Sequence, residues 1–320
     1  MRVECLVNRR AAWERAGIYK LDLADGTRWE IGSLPAAASR LAELREILEL
    51  RPSDGNPSRT LQLTRGTAPL VLPGTGWKTK RLRLIRFHYR MDKPEIICDL
   101  GPVQSPVIEV YMLQDALFPI YEGVLESGGV PFHSALIERN GAGVVIAAPG
   151  GTGKTTCCSR IPPPWKALCD DDTVIVKSPE GRYVAHPFPT WSRYARGESP
   201  RSWEVERALP LEAIFFLERS AGRDGVSAIR GAEAVVRASG MHSHMLPDVW
   251  SYLDVSEQRE ARGKFFRNTV DLVGAVPAFV LRATIDGRFW EEMEKALDGG
   301  THEDKDELSR REHAAHLKAG

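Results

Sequence analysis

The stretch Val144-Val145-Ile146-Ala147-Ala148-Pro149-Gly150-Gly151-Thr152-Gly153-Lys154-Thr155-Thr156 decides how the chain is read. Its apolar run predicts a buried strand and its glycines a loop. Lys154 to Arg160 predicts a short helix, stopped by Ile161-Pro162-Pro163-Pro164. A strand, a glycine loop ending in Lys-Thr and a helix are the setting of a Walker A phosphate loop. Glycines let the backbone curl until successive N–H groups point at phosphate oxygens, and the helix start adds partial positive charge. On this reading Gly150, Gly151, Thr152, Gly153, Lys154, Thr155 and Thr156 cradle ATP, with Lys154 on the terminal phosphates and the Thr155 hydroxyl on Mg²⁺. Ala148 replaces the first glycine of the usual pattern, a mild departure at a residue that mainly ends the strand. The competing reading is a Gly-rich turn that binds nothing.

Working downstream, Leu168-Cys169-Asp170-Asp171-Asp172-Thr173-Val174 sets three carboxylates in a strand. Adjacent buried acids repel and are desolvated unless something positive lies among them, and Mg²⁺ with nucleotide phosphates would serve. Strand alternation puts Asp170 and Asp172 on one side and Asp171 on the other unless the chain bends. One acid can hold metal and another can accept a proton from a hydroxyl; the alternative is an exposed acidic turn. Upstream, His133 lies in the strand Val130 to Arg139, where a lone histidine can equally be structural. His242-x-His244 has metal-pair spacing without an evident third ligand and reads as a loop, and Cys157-Cys158 read as core.

Around this centre, alternation predicts a hairpin over Ile18 to Ile31, a helix from Pro35 to about Leu50, and strands over 60–64, 81–89 and 95–100. The arginines 81, 83 and 86 suit the wet face of a half-buried strand, or else a basic groove for an acidic peptide. The character changes near Gly101-Pro102. Helices are predicted over Leu113 to Ser127, within Val249 to Gly274 and over Trp290 to Leu297, and strands over Ile214 to Leu217 and Phe279 to Thr284. His186 to Tyr194, aromatic and proline-fixed, reads either as a platform for adenine or peptide, with Arg193 near phosphate, or as a packed loop. The organisation expected is a β-rich region over 1–104, an α/β core over 105–300 and a charged tail over 301–320.

Bulk composition narrows the function. Lys plus Arg and Asp plus Glu balance at 43 each, which argues against nucleic acid or an anionic membrane as partner. No run approaches the roughly 20 apolar residues of a membrane helix. Five cysteines without a Cys-x-x-Cys pair suit reduced thiols, and a cytoplasmic location is expected.

His133, the loop over Gly150 to Thr156, and an Asp-Asp pair on the next strand resemble, in that order, the HPr kinase/phosphorylase superfamily. Val276-Pro277-Ala278-Phe279-Val280-Leu281 and Asp286-Gly287-Arg288-Phe289-Trp290 are similar to the ending of HPr-kinase-related proteins from peptide-modification cassettes, in particular the ScmC family of SynChlorMet cassettes. The resemblance covers about residues 105 to 297. It implies a P-loop kinase core of HPr kinase / phosphoenolpyruvate carboxykinase type with a mixed twisted sheet. It also implies catalytic roles: Asp171 as base for an acceptor serine, Asp172 on Mg²⁺, His133 along the γ-phosphate site, and Lys154 on the transferring group. It further implies a homo-oligomer. The first hundred residues and the absent phosphorolysis signature set HPr itself aside as substrate. The function expected is an ATP-dependent serine kinase for a peptide or small protein, a ribosomally made natural-product precursor. The alternatives are a small-molecule kinase, or a nucleotide switch or assembly ATPase without a phospho-product. No Leu-Ser-Gly-Gly-Gln or Asn-Lys-x-Asp motif supports an ABC ATPase or a GTPase.

Overall fold

Two mixed sheets share one apolar core in the computed structural model, which describes residues 17–66, 72, 75–90, 93–245 and 253–299. The first begins with the expected hairpin. β1 (Ile18–Asp22) and β2 (Arg28–Ser33) turn at Asp25-Gly26, where Gly26 has φ +87°. Leu21, Trp29 and Ile31 share one face and are buried. A 3₁₀ turn, Pro35–Ala37, leads into α1 (Ala38–Ile47), which buries Leu41, Leu44 and Ile47. β3 (Arg51–Pro52), β4 (Arg59–Arg65), β5 (Lys78–Leu82), β6 (Ile85–Tyr89) and β7 (Glu95–Leu100) complete the order β3-β1-β2-β4-β7-β6-β5. The single strand expected over 81–89 is a hairpin. Leu82 pairs with Ile85, and Arg83 turns the chain with φ +49°. Arg83 donates to Asp115 at 2.7 Å and Arg86 to Asp99 at 2.6 Å, so both arginines are already matched with carboxylates.

The next helical segment also divides. α2 (Pro106–Ala116) ends before Leu117, and α3 (Phe118–Glu126) begins there. Pro119 lacks the N–H that a continuous helix needs and its ring would clash with the preceding turn, but at a helix start both problems vanish. β8 (Val130–Arg139) and β9 (Ala142–Ala147) follow, joined at Asn140-Gly141 with both residues at positive φ, the geometry of a two-residue hairpin.

The remaining elements are α4 (Lys154–Arg160), β10 (Lys166–Cys169), β11 (Asp172–Lys177), β12 (Tyr183–Phe188), α5 (Trp191–Ala195), β13 (Leu209–Arg219), β14 (Gly225–Ile229), α6 (Gly231–Met245), α7 (Val255–Ala275), β15 (Ala278–Ala283) and α8 (289–299). In this second sheet β9, β13 and β15 run parallel. The long β8 pairs with β11 through its first half and with β9 and β10 through its second. With β12 bridging β11 and β13, the pairings close a circuit β8–β11–β12–β13–β9.

Three elements differ from expectation. β14 and α6 are additional, so His242 and His244 lie in a helix rather than a loop; their side chains fall outside the described residues, as do 249–252 and the tail. β12 covers what read as a proline-fixed platform. Its ladder to β13 stops at Ala185, so Pro187 has no N–H to supply on that edge. His186, Phe188 and Trp191 are fully buried, which makes this segment packing rather than an exposed platform. α7 starts with a reciprocal capping box between Asp254 and Glu257. No described helix is long and apolar enough to cross a membrane.

The core joins Trp29, Leu61 and Leu63 of the first sheet to Tyr121 and Val124 of α3 and to Phe132 and Phe188 of the second sheet. On the other side of the second sheet, Ile137, Ile146 and Phe215 pack with Leu281, Phe289 and Met293. His186 stitches the two halves. The Ala24 N–H donates to its Nε2 at 3.1 Å, which leaves the proton on Nδ1 to donate to the Val205 carbonyl at 2.8 Å. Burial lowers its pKa and keeps the ring neutral. His186→Leu should strand two buried polar groups and lower unfolding free energy by about 2–3 kcal/mol, read by urea denaturation.

Candidate functional site

β9 is buried from Gly143 onward and delivers the chain to the end of the sheet, where Pro149, Gly150 and Gly151 emerge exposed. Gly151 and Gly153 have φ +75° and +123°, which side-chain-bearing residues rarely adopt. A Cβ at Gly150, Gly151 or Gly153 would meet nothing within 4 Å, so the loop's inner surface is open. Lys154 starts α4 and is buried, whereas Thr155 and Thr156 are exposed in its first turn. Cys157 packs into the core beneath the loop, as expected. At the far end, Arg160 donates to the Thr284 carbonyl at 3.0 Å and to Gly287 O, fixing the helix to the C-terminal part of the chain.

The strand partners bring the other groups in. His133 on β8 lies opposite Asp172 on β11. The Lys154 ammonium donates to the Ala148 carbonyl at 2.7 Å and to His133 Nε2 at 2.8 Å. That contact leaves the imidazole proton on Nδ1, which faces Asp171 Oδ1 at 3.3 Å and Asp172 Oδ1 at 3.9 Å. His133, Lys154, Asp171 and Asp172 therefore form one cluster at the loop.

Simple alternation fails at the acids. The ladder is interrupted between Cys169 and Asp172, with a register shift in β10. Within the interruption the Ser134 N–H still reaches Asp171 O at 2.8 Å. Asp171 and Asp172 consequently both turn to His133. Asp170 turns away, accepts from the Thr190 hydroxyl, and pairs with Arg193 at 3.4 Å. Arg193 also donates to Ser199 O. Thr190 is a functional-site neighbour that sequence reasoning missed; nothing in its local pattern marks it, because its partner lies 20 residues away.

Electrostatics follow from packing. Burial, then the charge of Asp172, pushes Asp171 up to about 6 against the pull of His133 and Lys154. Burial pushes Asp172 up to about 7, with Lys154 opposing. Burial lowers Lys154, which the three aspartates counter, and burial with the Lys154 charge lowers His133. Ligand atoms of His133, Asp171 and Asp172 all lie within 4.8 Å of one another. A buried carboxylate, Asp172, and a half-buried one, Asp171, at this spacing offer hard oxygen ligands suited to a divalent cation.

Fold and site together define a mixed α/β protein whose glycine loop is faced by a lysine, a histidine and paired carboxylates. The family model described as SynChlorMet cassette protein ScmC matches residues 96–298, and the chain belongs to that family. No curated protein matches it.

Both aspartates bind protons more tightly in the folded chain than in the unfolded one. Their contribution to stability is therefore complete below about pH 4 and is lost as pH rises through 6 and 7. Asp172→Asn should remove part of that loss, and its melting-temperature advantage over wild type should grow between pH 4 and pH 8. At about 1.4 kcal/mol per pKa unit the gain is on the order of a few kcal/mol. An advantage that is flat with pH would contradict the buried-carboxyl assignment.

Proposed function

We propose that the chain is an ATP-dependent kinase with a P-loop core of HPr kinase / phosphoenolpyruvate carboxykinase type, transferring a phosphoryl group to a hydroxyl. One observation carries this reading: the Lys154 ammonium sits 2.8 Å from His133 Nε2, and that ring's other nitrogen faces Asp171 and Asp172. A loop that only bound anions would need the lysine and amides; it would not need a buried carboxylate and a half-buried one opposite them. Those carboxylates supply oxygen ligands that fit Mg²⁺, with Thr155 as a further candidate from the loop motif, and the uncrowded glycines 150, 151 and 153 leave room for phosphates. Bound Mg·ATP supplies the phosphoryl group and partly neutralises its charge.

The chain's own groups then have distinct tasks. Lys154, held by Ala148 O and His133, provides a fixed positive charge in a dry setting, where it acts more strongly than in water. Asp171 is the base: a carboxyl titrating near 6 is ionised at neutral pH yet basic enough to receive a hydroxyl proton. His133, with its proton on Nδ1, orients Asp171. Asp172, more deeply buried, belongs with Thr155 to the metal. Asp170, tied to Thr190 and Arg193, maintains the break that turns the other two acids inward.

The acceptor in this proposal is a serine of a peptide or small protein made by ribosomes. Support comes from the resemblance of residues 276–290 to HPr-kinase-related proteins of peptide-modification cassettes. Lys154→Ala should abolish phosphoryl transfer; turnover retained in the purified variant would refute the role. Asp171→Asn should lower product formation by about a thousandfold or more while leaving Mg·ATP affinity within a few-fold of wild type. Both are read by mass spectrometry of candidate peptides and by calorimetry. Loss of ATP binding in Asp171→Asn would instead move that residue to the metal.

A further inference from the structure

Arg219 is the last residue of β13. That strand runs parallel to β9 and so ends on the same side of the sheet as the glycine loop. Its backbone is fixed there: Arg219 lies opposite Ala283 in the ladder to β15, and the Ser220 N–H donates to Ala283 O at 2.9 Å. From this anchor the guanidinium Nε donates to the Thr152 carbonyl at 2.9 Å, and Nη2 donates to the Gly151 carbonyl. We infer that Arg219 is a positioning residue that sets the orientation of two successive peptide planes in the loop, so that one N–H closes the turn on Pro149 and the next, that of Gly153, faces the anion side.

In a planar trans peptide the C=O and the following N–H point in opposite directions. Holding the carbonyls of Gly151 and Thr152 toward Arg219 therefore turns the N–H groups of Thr152 and Gly153 away from it. The Thr152 N–H donates to Pro149 O at 3.3 Å, closing the turn, which leaves the Gly153 N–H as the donor that the brace aims at an anion. The planes need an external hold because they are flanked by Gly151 and Gly153, and glycine moves between backbone regions at little cost. Arg supplies it better than Lys. A rigid fork of donors can span two neighbouring carbonyls, whereas one ammonium is a point charge on a flexible stem. Arg219 itself is exposed, so the hold relies on geometry rather than on burial.

The consequence for binding rests on the nucleotide reading of the loop; the brace itself does not. The test uses the full chain as wild type, Arg219→Ala and Arg219→Lys. Hydrogen exchange of the segment over 150–155 without nucleotide should quicken about tenfold in Arg219→Ala, with β9 unchanged. Mg·ATP affinity by calorimetry should fall about tenfold, and Arg219→Lys should recover less than half of either loss. Unchanged exchange in Arg219→Ala overturns the brace, as does full recovery in Arg219→Lys, which would leave charge alone as the cause. Lost turnover at wild-type affinity and exchange also overturns it, by placing Arg219 on the transferring group. Wild type that fails to bind Mg·ATP, with exchange still quickened in Arg219→Ala, supports the brace and overturns the nucleotide reading.

Discussion

A buried carboxylate and a half-buried neighbour beside one ammonium group are the constraint around which the site is built. Asp171 and Asp172 repel each other and are poorly solvated, so the folded chain tolerates them as anions only through Lys154 and the imidazole proton of His133. That arrangement in turn depends on backbone. β8 must carry His133 opposite Asp172, β9 must deliver the loop so that Lys154 folds back over Ala148, and the ladder must break between Cys169 and Asp172. Breaking a ladder costs hydrogen bonds, and here the side chains of Thr190 and Arg193 on Asp170 occupy the interrupted stretch. The irregularity in the ladder thus coincides with the cluster of charges.

Much of this was legible in the sequence. The loop announces itself because glycine, lysine and threonine at fixed spacing follow an unbroken apolar run. Asn140-Gly141 fixes a hairpin because both residues tolerate positive φ. The pairing of Asp171 with Asp172, against Asp170, is implied by the family resemblance and contradicted by simple alternation, and it holds because the strand bends. What stayed hidden is tertiary. Pro187 disguises β12, since whether a proline is tolerated depends on which edge lacks a partner. Pro119 divides a helix whose apolar spacing reads as continuous. Thr190 and Arg219 have no local signal at all: each acts on groups far away in the chain, 20 residues for Thr190 and 67 or 68 for Arg219. Propensity sees neighbours in sequence, and these contacts are made by the closing of sheets.

The region outside the family match is not an appendage to the rest. Trp29, Leu61 and Leu63 belong to the same apolar core as Tyr121 and Phe188, and the ring of Tyr121 packs against Phe188, whose backbone pairs with Asp172. Burial raises the two carboxyls, and part of that burial is maintained from behind by this shared core. The first sheet thus contributes to the chemistry of the site without touching it.

The circuit of strands β8–β11–β12–β13–β9 has a mechanical corollary. His133 and Asp172 sit on members of one hydrogen-bonded ring, and β9, another member, leads into the glycine loop, so these strands cannot swing apart without several ladders parting together. The span from His133 to Asp172, directly opposite each other across β8 and β11, is thereby a built-in dimension of the sheet.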